Sequence, residues 1–330
     1  MNATIRKFHI ENFWSKNMFS QENIERGWEL IQGSKNVTLL THSKPDGDGI
    51  SACAVLEIVL KKLGKNVETV YPDSPEFEFK RQPEKVFVSE HSQLPDLLIA
   101  CDTANSERMY YPEIFKGIPL INIDHHVSNS IKGTVNFVDS ESSSACEVLF
   151  LLLQAWEQSL IGKKISELLL FGILYDTRVF SNQGATSSTL RIAADLVDKG
   201  ADLFKLKNEL LANKDPKIIK FWSVILDRIE VDEDKKIAWS YFKQDDLKNF
   251  DLTLSSTVGF SNFLAEICQI DVTLLFYETS DGKTKVSLRS KEFDVNQFAA
   301  LFGGGGHKNA AGIISSEPIE EFMAKVVGRL

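Results

Sequence analysis

The chain has 330 residues, a hydrophobic fraction of 43% and a formal net charge of -9 at pH 7. That length suits about two domains of roughly 100–200 residues each, and the composition is that of a soluble globular protein. The acidic balance excludes a broad basic surface for long duplex nucleic acid, so any nucleic-acid substrate is expected to be short or gripped locally.

Residues 1–19 read as an N-terminal extension. Residues 20–32 read as a helix, with Ser20 as N-cap and Gly33 closing it. An apolar strand at 37–40 delivers Thr41-His42-Ser43-Lys44-Pro45-Asp46-Gly47-Asp48. Gly49 opens an apolar helix at 50–63, closed by Gly64. A strand at 67–71, a loop at 72–83 and a short extended piece at 86–88 follow. The apolar run at 97–101 ends at Asp102, and the run at 119–123 ends at Asp124-His125-His126. Strands alternating with helices predict βαβ units and a mainly parallel sheet.

From Ser144 onward the spacing turns helical, at 145–156, 165–174, 187–199, 203–212 and 216–229. The charged run Asp232-Glu233-Asp234-Lys235-Lys236 marks 230–236 as a linker. It separates a first domain at 20–229 from a second at 237–330. The second shows strand-like runs at 237–241, 272–277 and 285–289. Ser280-Asp281-Gly282-Lys283 forms a hairpin connection between the last two. A helix at 293–302 then leads to Gly303-Gly304-Gly305-Gly306-His307. The expected fold class is α/β: a parallel-sheet N-terminal domain joined by a helical segment to a smaller α/β C-terminal domain.

Cys53, Cys101, Cys146 and Cys268 are isolated and form no CxxC pair, which fits buried free thiols in a reducing compartment. Residues 1–20 lack a signal-peptide apolar core, and the apolar stretches at 148–156 and 168–175 are too short to cross a bilayer. A cytoplasmic protein with no membrane partner is expected.

Three apolar strands that each end in Asp or His are hard to explain as scaffold. Open parallel sheets place their sites at the carboxyl ends of strands, and unpaired buried acids need a compensating cation. A polynuclear metal site is the economical reading. Each piece has a plainer reading alone. Asp48 could simply cap the following helix, Asp102 could be a strand-end turn residue, and the histidine pair could lie on the surface. Asp176, at the end of an apolar helix, is a misfit with the helix dipole unless positive charge faces it. Together these plainer readings require several independent coincidences. The glycine run followed by His307 and Lys308 suits close approach to an anion, with a flexible loop as the alternative. The aromatics Phe260, Phe263 and Phe276 are read as core.

The whole set resembles the DHH-family phosphoesterases: His42…Asp46-Gly47-Asp48, then Asp102, then Asp124-His125-His126, then Gly172-Ile173-Leu174-Tyr175-Asp176-Thr177. The chain also ends in the glycine-histidine signature of the DHH-associated C-terminal domain. The likeness spans residues 36–312 and is nearest to the bacterial nanoRNases. Arg108, Ser128-Asn129 and Ser287-Leu288-Arg289 fit that branch. Gly49-Ile50-Ser51-Ala52 and Ser144-Ala145 depart from the usual family pattern behind the ligands.

The resemblance implies two Mn²⁺ ions, with Mg²⁺ or Co²⁺ as substitutes. His42, Asp46 and Asp102 would hold one. Asp48, Asp102, His125 and Asp176 would hold the other, with Asp102 bridging. His126 would act on the scissile phosphate, with Asp124 orienting the histidine pair. Arg108, Arg289, His307 and the amides of Gly304, Gly305 and Gly306 would grip the substrate. The implied substrates are short oligoribonucleotides and 3′-phosphoadenosine 5′-phosphate (pAp). A RecJ-like single-strand exonuclease, an exopolyphosphatase, a dinucleotide phosphodiesterase and a non-catalytic nucleotide sensor stay open. A homodimer also stays open. A dinucleotide-binding oxidoreductase is disfavoured by the lack of a glycine fingerprint after the first strand.

Overall fold

A computed structural model describes residues 18–72, 85–87, 94–211, 215–257, 259–267 and 270–330. The chain divides into two units, one ending at Ala212 and the other beginning at Asn213.

In the first unit, α1 (Gln21–Gly33) begins where the Asn23 amide donates to the Ser20 hydroxyl at 3.2 Å. The sheet comprises β1 (Asn36–Leu40), β2 (Asn66–Tyr71), β3 (Lys85–Phe87), β4 (Leu97–Cys101), β5 (Leu120–Asp124) and β6 (Val135–Val138). Its order is β3-β2-β1-β4-β5-β6, and every pairing is parallel. The fully buried runs of β4 and β5 suit a sheet covered on both faces. On one face Leu39, Ile99 and Ile123 pack with α2 (Gly47–Lys62), α3 (Ala145–Glu157) and α4 (Lys163–Asp176). α5 (Ser187–Asp198) and α6 (Leu203–Leu211) complete that side. The other face packs Leu40, Leu98 and Ala100 against Met109, Phe115 and Ile131, which arrive on loops.

The strand order reverses between β1 and β4, and such a switch point opens a crevice at the carboxyl ends of the strands. His42, Asp102 and the histidine pair all sit at that rim. Dinucleotide-binding folds share this order, but here the loop after β1 carries Asp46-Gly47-Asp48 in place of a glycine fingerprint.

The second unit contains α7 (Pro216–Asp227), β7 (Glu230–Asp232), β8 (Ile237–Phe242), α8 (Gln244–Asn249), α9 (Phe260–Ile267), β9 (Val272–Glu278) and β10 (Thr284–Ser290). It ends with α10 (Val295–Ala300), β11 (Gly305–His307), β12 (Ala310–Ser315) and α11 (Ile319–Arg329). Its sheet runs β11-β12-β10-β9-β8-β7. Only β8 and β9 pair in parallel. One face buries Leu274, Val286 and Leu288 under Phe298 and Phe322. The other buries Phe242 and Leu275 under Phe221, Trp222 and Phe260.

Two sequence expectations change here. Residues 230–236 are not a linker: β7 and β8 form a hairpin, and the charged run lies in its exposed turn. The helix expected at 216–229 belongs with the second unit rather than the first. Its Phe221, Trp222 and Ile225 bury against β8 and β9, and that apolar face outweighs its place in the chain. The loop expected at 72–83 lies almost wholly outside the described residues, as does Cys268. Cys53, Cys101 and Cys146 are free and buried. No helix among the described residues is long and apolar enough to cross a membrane.

Candidate metal centre

The loop after β1 brings two acids inward by different means. Asp46 is the N-cap of α2: its Oδ1 accepts from the amides of Asp48 at 3.0 Å and Gly49 at 3.3 Å. Its Oδ2 lies 3.9 Å from Nε2 of His42. The cap is therefore Asp46, and Asp48 is released to point into the interior. Fully buried, Asp48 accepts from the amides of Ala145 at 2.6 Å and Cys146 at 3.0 Å. Those are the first two amides of α3, where the helix dipole favours negative charge. Burial, followed by the charges of Asp176 and Asp102, pushes the Asp48 carboxyl well above its usual range.

Asp102 follows β4 in a left-handed conformation, φ +53°. Its Oδ2 lies 3.6 Å from Nε2 of His42. Its Oδ1 lies 3.6 Å from Nε2 of His125 and 3.6 Å from Nδ1 of His126. That Oδ1 is buried and has no hydrogen-bond partner. Burial opposes ionisation of Asp102, but the imidazoles of His125 and His42 outweigh it and hold the carboxyl well below its ordinary value.

The histidine ring nitrogens face these acids. His42 Nδ1 lies 2.8 Å from the carbonyl of Ser43 and 3.2 Å from the Arg108 guanidinium. One ring nitrogen cannot serve both contacts in a single tautomer. The shorter contact favours Nδ1–H donating to Ser43, which leaves Nε2 facing Asp46 and Asp102. His125 Nε2 sits 3.1 Å from Oδ2 of Asp176, the last residue of α4. Burial lowers both histidine pKa values, yet the acids prevail. His42 is pushed up to about 10, chiefly by Asp102 and Asp46, and His125 to about 12, chiefly by Asp102 and Asp176. The centre therefore attracts positive charge at the very nitrogens that ligate metals.

Asp124 organises the pair from below. Its Oδ1 accepts from the His125 amide at 2.8 Å and lies 2.7 Å from Nδ1 of His126. Its Oδ2 accepts from the Asn129 amide group at 2.5 Å. Asn129 in turn donates to the Thr103 carbonyl and accepts from Asn122.

Three groups emerge whose ligand atoms lie within 4.8 Å of one another: His42, Asp46 and Asp102; Asp48, His125 and Asp176; and Asp102, Asp124, His125 and His126. Two ligand atoms each about 2.1 Å from one ion are about 3.0 Å apart at right angles and about 4.2 Å apart when opposite, so these groups would close in only slightly around a divalent cation. The buried, unpartnered Oδ1 of Asp102 at the junction of two groups fits a shared ligand. All six sequence-predicted ligands converge, together with Asp124 and His126, and Arg108 packs against His42.

Gly172 on α4 makes the convergence sterically feasible. A Cβ there would lie 2.4 Å from Cys146 Sγ and 2.6 Å from Asp48 Oδ1.

The remaining predicted residues lie in the second unit. Arg289 on β10 pairs in register with Ala310 on β12, and Ala310 pairs with His307 on β11, so all three share one sheet face. Arg289 Nε donates to Oδ1 of Asn262 at 2.8 Å, and its guanidinium also donates to the Leu288 carbonyl. The glycine run departs from expectation. The Gly304 amide donates to the Ala299 carbonyl at 2.9 Å and the Gly306 amide to Oδ1 of Asn296 at 2.8 Å. Gly305 pairs with Gly312 in the sheet. These amides are committed to protein acceptors and form no open anion cradle. The glycines serve close packing instead: a Cβ on Gly304 would lie 2.3 Å from the Gly312 carbonyl.

Sequence reasoning missed the α3 amides beneath Asp48 and the Asn262 clamp on Arg289. Backbone donors carry no residue signature. Asn262 stands 27 positions from the arginine it holds.

Comparison with known proteins agrees with this geometry. The DHH family, N-terminal domain, matches residues 36–173, and the DHHA1 domain matches residues 234–329. The probable bifunctional oligoribonuclease and PAP phosphatase NrnA of Streptococcus mutans is 30% identical over 286 residues, covering 86% of this chain and 90% of that protein. The bifunctional oligoribonuclease and PAP phosphatase NrnA of Bacillus subtilis is 30% identical over 280 residues, covering 84% and 88%. An exopolyphosphatase-related protein from Bacteroides fragilis shares the fold with a TM-score of 0.83 at 23% identity, covering 94% of this chain and 95% of that one. The exonuclease RecJ bound to manganese shares it more distantly, with a TM-score of 0.55 at 18% identity and the same coverage. The chain belongs to the DHH family, with a DHHA1 domain after its catalytic sheet.

Proposed function

We propose that this chain is a metal-dependent phosphoesterase that hydrolyses short oligoribonucleotides and removes the 3′-phosphate of pAp. One observation carries the reading: three strand-end loops and α4 bring Asp46, Asp48, Asp102 and Asp176 together with His42 and His125 in overlapping ligand groups, with Oδ1 of Asp102 buried and unpartnered among them. The family relatives support the substrate class, since they are named oligoribonucleases and PAP phosphatases.

In this reading His42, Asp46 and Asp102 hold one Mn²⁺, and Asp48, Asp102, His125 and Asp176 hold a second. Mg²⁺ or Co²⁺ would be substitutes. When bound, such a pair supplies Lewis acidity and a water nucleophile at neutral pH. The chain's own residues do the rest. Asp124 fixes His126 through Nδ1, and that hydrogen bond, partly offset by burial, raises the His126 pKa. The imidazolium so favoured presents an Nε2 proton to a phosphate oxygen or leaving group. Arg289 and His307 supply cationic and donor groups for the substrate's phosphates. The net charge of -9 matches a short footprint, and free cysteines fit a cytoplasmic setting.

The test is a substrate panel on Mn²⁺-loaded protein: RNA dimers to pentamers, a 24-mer and pAp. Faster cleavage of the short strands, lost with EDTA and restored by Mn²⁺, is the expected result. Equal loss of the 24-mer would favour a longer-range exonuclease, and full turnover in protein shown metal-free by elemental analysis would end the metal reading.

A further inference from the structure

Glu147 is a buried acid outside the ligand set. Its Oε2 accepts from the Ser143 amide at 3.2 Å, the Ser143 hydroxyl at 2.6 Å and the Thr189 hydroxyl at 2.9 Å. Thr189, on α5, is fully buried, as Glu147 nearly is. A charged side chain at such depth costs stability unless its surroundings are arranged around it.

The arrangement is the start of α3. Ser144 caps that helix by accepting from the Glu147 amide at 3.0 Å. The two amides before it, of Ala145 and Cys146, are the ones that hold the two oxygens of Asp48. Glu147 reaches back over this turn to Ser143, and Thr189 ties Glu147 to α5. Thr189 is itself fixed in the capping box at the start of α5 with Thr186. The aim of the two amides that seat Asp48 is thus set by a hydrogen-bonded chain running from α5 through Thr189 and Glu147 to α3.

We infer that Thr189 and Glu147 are positioning residues for the cation site built from Asp48, His125 and Asp176, and not for the one built from His42, Asp46 and Asp102. This rests on the two-cation reading above. A one-ångström drift of the α3 turn moves both donors to Asp48 together. His42 and Asp46 sit on the loop after β1, and Asp46 meets Asp48 through the Asp48 backbone amide, not through the carboxylate that the α3 turn seats.

The experiment titrates Mn²⁺ into metal-free full-length protein by calorimetry. The parent, Thr189→Val, Thr189→Ser and Glu147→Gln are compared, with each variant's melting temperature recorded. Two Mn²⁺ equivalents in the parent establish the reading on which the inference rests, and none would overturn both together. With two in the parent, Thr189→Val is expected to weaken one equivalent by about tenfold or more and leave the other unchanged. Thr189→Ser, which keeps the hydroxyl, is expected to restore the parent isotherm. Glu147→Gln, which keeps the shape but loses the charge, is expected to weaken the same single equivalent, and it decides the question if Thr189→Val does not fold. A parent-like isotherm in either folded substitution that removes the hydroxyl or the charge overturns the inference. Equal weakening of both equivalents, the mark of general loosening, overturns it as well.

Discussion

His126 Nδ1 lies 2.7 Å from Oδ1 of Asp124, and that contact leaves Nε2 as the ring nitrogen that Asp124 does not engage. The ring is one-third exposed while Asp124 is fully buried, so the acid works only through the ring and the chain around it. Asp124→Asn preserves shape but removes the charge and one of the two acceptor oxygens that between them hold His126 and Asn129. It is expected to lower kcat by about a hundredfold or more, with Mn²⁺ content unchanged. Steady-state kinetics beside elemental analysis checks this. Full kcat in the variant would remove His126 from the chemistry.

The metal-free protein should respond to pH in a direction fixed by its histidines. His42 and His125 have folded values raised from 6.5 to about 10 and about 12. Folding therefore favours their protonated forms. That stability is fully present below the unfolded value of 6.5 and is lost as pH rises through the folded values. Asp176 acts in the same sense: burial, eased by its hydrogen bond to His125, raises it from 3.8 to about 7, so folding favours its protonated form as well. The melting temperature without metal is expected to fall between pH 6.5 and about 10. Binding of Mn²⁺ near neutral pH should release protons, because ligating imidazoles must be neutral. Calorimetry in buffers of different ionisation enthalpy measures that release. Proton uptake, or a metal-free melting temperature that climbs with pH, would contradict the arrangement.

Gly172→Ala places a methyl group against the Cys146 sulfur and the Asp48 carboxylate. Neither neighbour is the free end of a flexible chain. Overpacking there should cost about 1–3 kcal/mol and lower Mn²⁺ affinity as Asp48 shifts. Thermal melts and metal titration on the same sample test both effects. A variant with parent stability would mean that α2, α3 and α4 pack less tightly than described.

Arg289→Ala and His307→Ala are expected to reduce kcat/KM on a dinucleotide by roughly tenfold to a hundredfold, the cost of a charge-assisted contact of about 1.5–3 kcal/mol. Hydrolysis of bis-p-nitrophenyl phosphate, which lacks the nucleosides, should change much less. Asn262→Ala should reproduce part of the Arg289 effect by removing the acceptor that holds its Nε. Equal losses on both substrates would point to a folding defect.

The convergence of these acids and imidazoles was legible because most of them follow an apolar run, and such runs in a parallel sheet end at one rim. His42, Asp102, Asp124 and His125 could be placed that way, and Asp176 by its position at the end of an apolar helix. What stayed hidden depended on partners distant in the chain. Asp48 finds its donors 97 and 98 positions away, on backbone atoms that any residue carries. The glycine run looked like an anion cradle because glycine permits both close approach to a ligand and close packing of strands. Only the pairing of β11 with β12 decides between them. β6 was missed because four residues are too few for an alternation to stand out. α7 was assigned to the wrong domain because an amphipathic pattern tells that a face is covered, not by what.

The sheet has a second rim, at the amino ends of its strands, remote from these acids and imidazoles. At the amino ends of the strands Asp96 merely ties down the amides of Lys35 and Asn36. Gly117, with φ +85°, turns the exposed chain toward β5. A tether, fluorophore or fused domain attached at Lys116 would ride on the same rigid strands that carry the ligands while standing a full strand length from them. The fold thus offers a surface handle for immobilising or tracking the protein without touching its chemistry.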